Sequence, residues 1–266
     1  MGKDLQIGAS DYYERLYEVE EVHWWYRGIY EAAHRILNTY YRKVKGLRVL
    51  DAGCGTGFTF TWLEQHGSPI RGVGIDISWH AFPFCRRRGQ HILLQASVLE
   101  LPFKDDLFDL VVCKAVIQHL PGEGSDKVAL KEFYRVLNPG GCLLLVTRSS
   151  QKTGEEEDKP AIYRTYSLDE VRDKIMETGF HILKLSHFNM LGAMILTVRR
   201  YLRHGRKDYE HYGYRLPHRH PSYLQWLNAL LYWVTKGEAW FISRPFVTSS
   251  FGQTIVVLAK KPASSH

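Results

Sequence analysis

Two periodicities alternate along the chain. From Ser10 to Val44 apolar positions recur at helical spacing: Ser10 is placed to cap a first helix, and Ile29, Ala33, Ile36, Leu37, Tyr40, Tyr41 and Val44 form one face of a second. From residue 47 to 148 short apolar runs alternate with helical patterns. LRVLDAG (47–53), IRGVGID (70–76), HILLQAS (91–97), LFDLVVCKA (107–115) and CLLLVTR (142–148) read as five strands. Thr59–His66 and the face Leu130, Phe133, Tyr134, Leu137 read as helices, the latter stopped by Asn138-Pro139-Gly140-Gly141. Strands apolar on both faces and interleaved with helices predict a parallel sheet covered on both sides.

A polar loop, 149–160, follows. Ser167 and Glu170 form a capping box for a helix that ends at Gly179; FHILKLSHF (180–188) is a sixth strand and GQTIVVLAK (252–260) a last one. The long stretch between them is an insertion. Within 199–220 it holds seven Lys or Arg, four His and two acids. It then carries Tyr223, Trp226, Leu227, Leu230, Leu231 and Val234 at amphipathic helical spacing.

Composition narrows the class. With 266 residues, 45% hydrophobic and 24% charged, the chain can build a core, which excludes global disorder. The net charge of +7 favours acidic partners but is modest for a dedicated nucleic-acid binder. Cys54, Cys85, Cys113 and Cys142 form no CxxC pair, so they are expected to be buried thiols of a cytoplasmic protein. No secretory h-region is visible, and no run reaches the roughly 18 apolar residues of a membrane span. The spacing of His204, His211, His218 and His220 fits no metal-ligand pattern, and no metal is expected.

The sharpest motif is Asp51-Ala52-Gly53-Cys54-Gly55-Thr56-Gly57, between a strand and a helix. Glycines there let backbone approach a ligand closely, at the carboxyl end of a strand where doubly wound sheets bind ligands. No Gly-Lys-Ser/Thr follows, and the third glycine of a dinucleotide fingerprint is replaced by Phe58. An acidic start suits a cationic ligand better than a pyrophosphate. Asp76 closes the second strand, where a carboxylate can accept hydrogen bonds from both hydroxyls of a ribose.

The blocks VLDAGCGTG (49–57), GVGIDIS (72–78), LPFKDDLFDLVVCKAVIQHL (101–120) and LKEFYRVLNPGGCLLLV (130–146), in that order, resemble class I S-adenosylmethionine-dependent methyltransferases, in style those acting on quinone precursors and other small molecules. The resemblance implies a Rossmann-like, doubly wound α/β sheet of seven strands with an antiparallel last strand. It divides the chain into an N-terminal helical lid (1–44), a cofactor-binding core (45–188 and 251–260) and a helical insertion between strands six and seven (189–250). It also implies that Asp51, Gly53, Cys54, Gly55 and Gly57 hold the methionine portion of S-adenosylmethionine. Asp76 would then bind the ribose, with Ile77 and Ser78 beside the adenine. Ser97 and Val98 lie where family members contact the adenine amino group, Ser97 standing in place of the usual Asp. Lys114, ending the fourth strand, sits where members touch cofactor backbone and acceptor.

Methyl transfer from a sulfonium is an in-line displacement, governed by alignment and exclusion of water, and a base is needed only if the acceptor must lose a proton. His119 is the candidate base; a structural or pocket-shaping histidine is the competing reading. Tyr163 and Tyr166 are candidates to border the acceptor. In His23-Trp24-Trp25-Tyr26-Arg27, Arg27 is a candidate to neutralise the cofactor carboxylate, and Trp24, Trp25 or Tyr26 to wall the acceptor pocket; the alternative is a staple between helices. The insertion has two readings, a peripheral membrane contact or a cap on the acceptor site or homodimer seam, and both point to a bulky, partly apolar acceptor. A nucleic-acid substrate is disfavoured, because Cys113-Lys114-Ala115-Val116 replaces the Asn/Asp-Pro-Pro-aromatic motif of amino-methylating nucleic-acid enzymes. A non-catalytic cofactor-binding subunit is the remaining alternative.

Overall fold

A computed structural model describes residues 8–41, 46–65, 70–90, 92–150, 164–202 and 222–263. Seven strands form one sheet: β1 (Leu47–Ala52), β2 (Ile70–Asp76), β3 (Leu93–Gln95), β4 (Phe108–Lys114), β5 (Leu137–Arg148), β6 (His181–Phe188) and β7 (Thr254–Lys260). Their order is β3-β2-β1-β4-β5-β7-β6, with β7 antiparallel to both neighbours and the other pairs parallel. This is the doubly wound sheet with antiparallel last strand that the sequence predicts. Strand order reverses between β1 and β4, so a crevice opens beyond their carboxyl ends.

Strand residues alternate between two hydrophobic layers. Leu50 and Ala52 of β1, Val111 and Cys113 of β4, and Val257 and Ala259 of β7 join one layer with Phe133 of α5 (Ser125–Val136) and Ile175 of α6 (Leu168–Glu177). Val49, Leu110 and Val256 face the other, with Ile36 of α2 (Trp24–Tyr40), Trp62 of α3 (Phe58–Gln65) and Ile242 of α8 (Gln225–Ile242). The remaining helices are α1 (Ser10–Val19), α4 (Phe82–Arg87) and α7 (Met190–Leu202). Burial on both faces explains why β4 and β7 read as unbroken apolar runs.

Several expectations shift. Ser10 is the first residue of α1, and Ala9 occupies the cap without a side-chain bond. Ser167 caps α6 as expected, accepting from the Glu170 N–H at 3.1 Å. The segment Asn138–Gly141 does stop α5 but belongs to β5, which begins at Leu137 and pairs there with Phe108 across an irregular register.

The largest difference concerns α8. Of the amphipathic face read from the sequence, Tyr223 just before the helix and Trp226, Leu230 and Val234 on it are exposed, whereas Thr235, Glu238, Ala239 and Ile242 are buried against the protein. The reason lies on α2, which meets α8 with polar and stacking partners. Asn228 accepts from the Trp24 N–H (2.9 Å) and donates to the Val22 carbonyl (2.8 Å), and Arg27 lies over the Tyr232 ring at 3.6 Å. A Cβ on Gly28 would sit 2.8 Å from Thr235 Oγ1 and 3.3 Å from Phe188, so α8 packs against bare backbone.

That contact predicts opposite outcomes for two glycines. Gly28→Val overpacks the α2–α8 seam at a cost of about 1–3 kcal/mol. Gly237→Ala, whose added carbon meets open space on the same helix pair, gains up to about 1 kcal/mol of helix propensity. Thermal melts should show the first falling and the second holding or rising; a fall in both would contradict the assigned seam.

Candidate functional site

The glycine turn is built by backbone. The N–H groups of Gly53 and Cys54 both donate to the Ile75 carbonyl, at 2.9 and 2.8 Å, and Gly57 donates to Cys54 at 2.9 Å. Gly53, Gly55 and Gly57 have φ of 84°, 53° and 80°, values that favour glycine. A Cβ on Gly53 would run into Val116, just past β4, so the turn closes directly on the neighbouring strand end.

Asp76 ties this turn to β2. Its Oδ2 accepts from the Gly55 N–H at 2.9 Å, and its Oδ1 accepts from the Ser78 N–H at 2.9 Å and the Tyr13 hydroxyl at 3.0 Å. Burial pushes the Asp76 carboxyl up, opposed by these hydrogen bonds. Tyr13 belongs to α1, so the first helix lies over the carboxylate that the sequence assigned to a ribose. Ile77, next along, is exposed. Ser78 Oγ donates to the Gly8 carbonyl at 2.6 Å, fastening the start of the described chain beside it.

Asp51 ends up differently. Both its oxygens are buried and have no hydrogen-bond partner among the described residues. Burial pushes its carboxyl up to about 7, with the Lys114 charge pulling the other way. Lys114 is itself held between Glu20 (3.9 Å) and the Tyr30 hydroxyl, its ammonium 4.0 Å from the Tyr30 ring centre, and burial lowers its pKa.

Glu20 was not among the sequence candidates, yet it organises this corner. It is buried, takes Arg88 at 2.8 Å and bonds the Thr56 hydroxyl of the turn. Arg88 also donates to the Thr56 carbonyl at 2.8 Å and to Glu21 at 2.6 Å. Nothing marks Glu20 or Arg88 in the sequence: one lies in an acidic helix end, the other closes an Arg-Arg-Arg run. Cys54 and Cys85, distant in sequence, place their sulfurs 3.8 Å apart under the turn, and all four cysteines are buried and free.

The remaining candidates divide. Tyr26 is partly buried, and burial, then Tyr12 and then Glu20, raises its phenol well above the ordinary value. Trp25 stacks on Tyr26 with ring centres 5.3 Å apart. Trp24 and Arg27 meet α8 through Asn228 and Tyr232, while among the described residues Arg88 and Lys114 are placed at the turn. Tyr166 is fully buried and donates to the Ile117 carbonyl at 3.2 Å, bracing the loop after β4. Tyr163 and the four histidines of 204–220 lie outside the described residues. Ser97 Oγ accepts from the Leu99 N–H at 3.1 Å, and Val98 is buried in the core.

His119 sits in a short turn after β4, with Gln118 Nε2 3.3 Å from its Nε2. Burial, then the Arg148 charge, lowers its pKa to about 4. At neutral pH the ring is uncharged and a weak base. Among the described residues no cluster of three or more His, Cys, Asp or Glu could hold a metal ion, and no helix is long and apolar enough to cross a membrane.

Comparison with known proteins agrees with this geometry. The family described as "Methyltransferase domain" matches residues 50–145. The protein named "Putative methyltransferase ECU09_1500", from Encephalitozoon cuniculi, is 35% identical over 169 residues, covering 56% of this chain and 76% of that one. The tRNA (carboxymethyluridine(34)-5-O)-methyltransferase of Arabidopsis thaliana is 34% identical over 107 residues, 40% of this chain but only 25% of that protein. Among solved structures, a chain of the "Complex between the Haloferax volcanii Trm112 methyltransferase activator and the putative methyltransferase" superposes with a TM-score of 0.60 over 96% of both chains, at 20% identity, a likeness of fold. The chain belongs to the class I S-adenosylmethionine-dependent methyltransferases.

Proposed function

We propose that this methyltransferase acts on a small or lipid-like acceptor, admitted beside Tyr26 and Lys114 at the carboxyl ends of β1 and β4. One observation carries the reading: the cations at the glycine turn, Arg88 and Lys114, are both engaged by the buried Glu20, and aromatic rings stand beside them. A site for a nucleic-acid backbone would instead present cations to phosphates. The 34% identity to a tRNA enzyme favours the second reading, an RNA acceptor, but spans a quarter of that protein.

The residues fit the cofactor. A buried carboxylate without a partner, Asp51, suits the ammonium of the methionine portion. Asp76 offers acceptors to the ribose hydroxyls, and exposed Ile77 an apolar surface to the adenine. When bound, S-adenosylmethionine would supply a methyl group on a sulfonium, passed to an acceptor atom attacking in line as the thioether of S-adenosylhomocysteine leaves. The protein aligns the two and excludes water. With its pKa lowered to about 4, His119 shapes the pocket better than it removes protons, so the acceptor atom attacks through a lone pair it already carries or loses its proton to solvent.

Incubating the enzyme with radiolabelled S-adenosylmethionine and separated small-molecule, lipid and RNA fractions of an extract tests the acceptor class. Label in the small-molecule or lipid fraction is expected; label confined to RNA would overturn the proposal.

Cofactor binding gives a second test. Asp76→Ala removes charged hydrogen bonds worth roughly 1.5–3 kcal/mol each, and calorimetry with S-adenosylhomocysteine should show about a 100-fold loss of affinity. Tyr13→Phe removes one of the two donors on Oδ1 of that carboxylate and should tighten binding by about tenfold, the lower end of the worth of a hydrogen bond to a charged group. Unchanged affinity in Asp76→Ala would remove the ribose assignment.

Asp51 makes the third. Its folded pKa, about 7, stands above the ordinary carboxylate value near 3.9, so the folded state holds a proton that the unfolded state has lost. The destabilisation therefore grows as pH rises through that window and is complete above about 7. Without cofactor, Asp51→Asn should melt higher than the parent protein by a margin larger at pH 8 than at pH 5, while binding S-adenosylhomocysteine more weakly. A margin independent of pH would refute the buried, unpartnered carboxylate.

A further inference from the structure

We propose that the outward face of α8 docks on the surface of an anionic lipid bilayer. The helix turns its more apolar side away from the protein. Tyr223, Trp226, Leu230, Trp233, Val234, Trp240 and Phe241 repeat at helical intervals, and the first, second and fourth are 73%, 65% and 64% exposed. α7 adds exposed Met194, Ile195 and Val198, and its first N–H donates to Glu238 of α8 at 3.0 Å. A soluble surface seldom shows so many large apolar side chains together unless they meet something.

Charge selects the occupant. The described residues of α8 contain one acid, Glu238, which is buried and spent on the start of α7. The flanking charges are cationic: Lys236 sits 4.9 Å from the Trp233 ring centre, and Arg244 3.9 Å from that of Trp240. These are amphipathic side chains whose stems lie along apolar surface while their charged ends reach water. Tryptophan and leucine bordered by Lys and Arg match the chemistry of a headgroup layer over acyl chains. A second copy matches it poorly. A two-fold contact sets the same patch against itself, so Lys236 and Arg244 of both copies would meet a face on which the described residues of α8 offer no exposed acid.

The proposal leaves the acceptor open and stands apart from the methyl-transfer site. Full-length protein should co-sediment with vesicles of phosphatidylcholine and phosphatidylglycerol and not with phosphatidylcholine alone, with a blue shift of tryptophan emission and weakening in high salt. Trp226→Glu with Trp233→Glu should reduce that binding by at least about tenfold, with S-adenosylhomocysteine affinity and melting temperature unchanged. Lys236→Glu with Arg244→Glu should reduce it too. No binding to the anionic vesicles overturns the proposal. So does a dimer in sedimentation equilibrium that the tryptophan variant dissociates, which would assign the face to a second copy. A melting temperature several degrees lower in that variant overturns it as well, because the face would then be covered by the protein's own chain. Loss of S-adenosylhomocysteine binding in the parent protein would count against the cofactor site, not against this surface.

Discussion

The Asp76 carboxylate sets the geometry of the site. It accepts one backbone N–H from the glycine turn and another from the loop leaving its own strand, and so fixes the turn against the sheet at the crevice between β1 and β4. Hydrogen bonds to an ionised acceptor are about twice as strong as neutral ones, and here they offset part of the cost of burying the charge. The same group draws in the Tyr13 hydroxyl and with it α1. Turn, strand end and first helix thus share one anion, and a ligand that engages Asp76 acts on all three.

Beside it lies a second buried arrangement, Glu20 with Arg88 and Lys114. Buried ion pairs stabilise a fold only when their remaining hydrogen-bonding capacity is satisfied. Glu20 meets this through the Thr56 hydroxyl, and Arg88 through the Thr56 carbonyl and Glu21. The outcome is specificity of position: one residue of the turn, Thr56, is bonded through both its side chain and its backbone to groups from α1 and from the end of α4. Asp51 is the exception in this corner, a buried carboxylate whose oxygens accept no close hydrogen bond among the described residues and whose nearest opposing charge is Lys114.

The sheet was legible because its strands are covered on both sides, so apolar runs such as those of β4 and β7 declare themselves without help from distant residues. The glycine turn and Asp76 were legible because backbone geometry and a strand-end carboxylate leave local signatures. What the sequence hid is what depends on meetings across the chain. Glu20 and Arg88 are ordinary surface residue types until α1 folds over the turn. Arg27 and Tyr166 have the right chemistry for a site, and only the fold shows that one meets Tyr232 of α8 and the other the Ile117 carbonyl. The α8 periodicity identified a helix and an apolar stripe, but periodicity cannot say whether the stripe faces protein or solvent; Asn228, Tyr232 and Thr235 decided that.

The bare backbone at Gly28 has a mechanical consequence. Because nothing but hydrogen separates α2 from Thr235, with Arg27 and Asn228 on the same seam, α8 has no room to shift toward α2 without displacing it. The end of α2 that carries this seam also carries Tyr26, beside Glu20 and the turn. Any inward displacement of α8 would thus press first on the turn of α2 next to Tyr26.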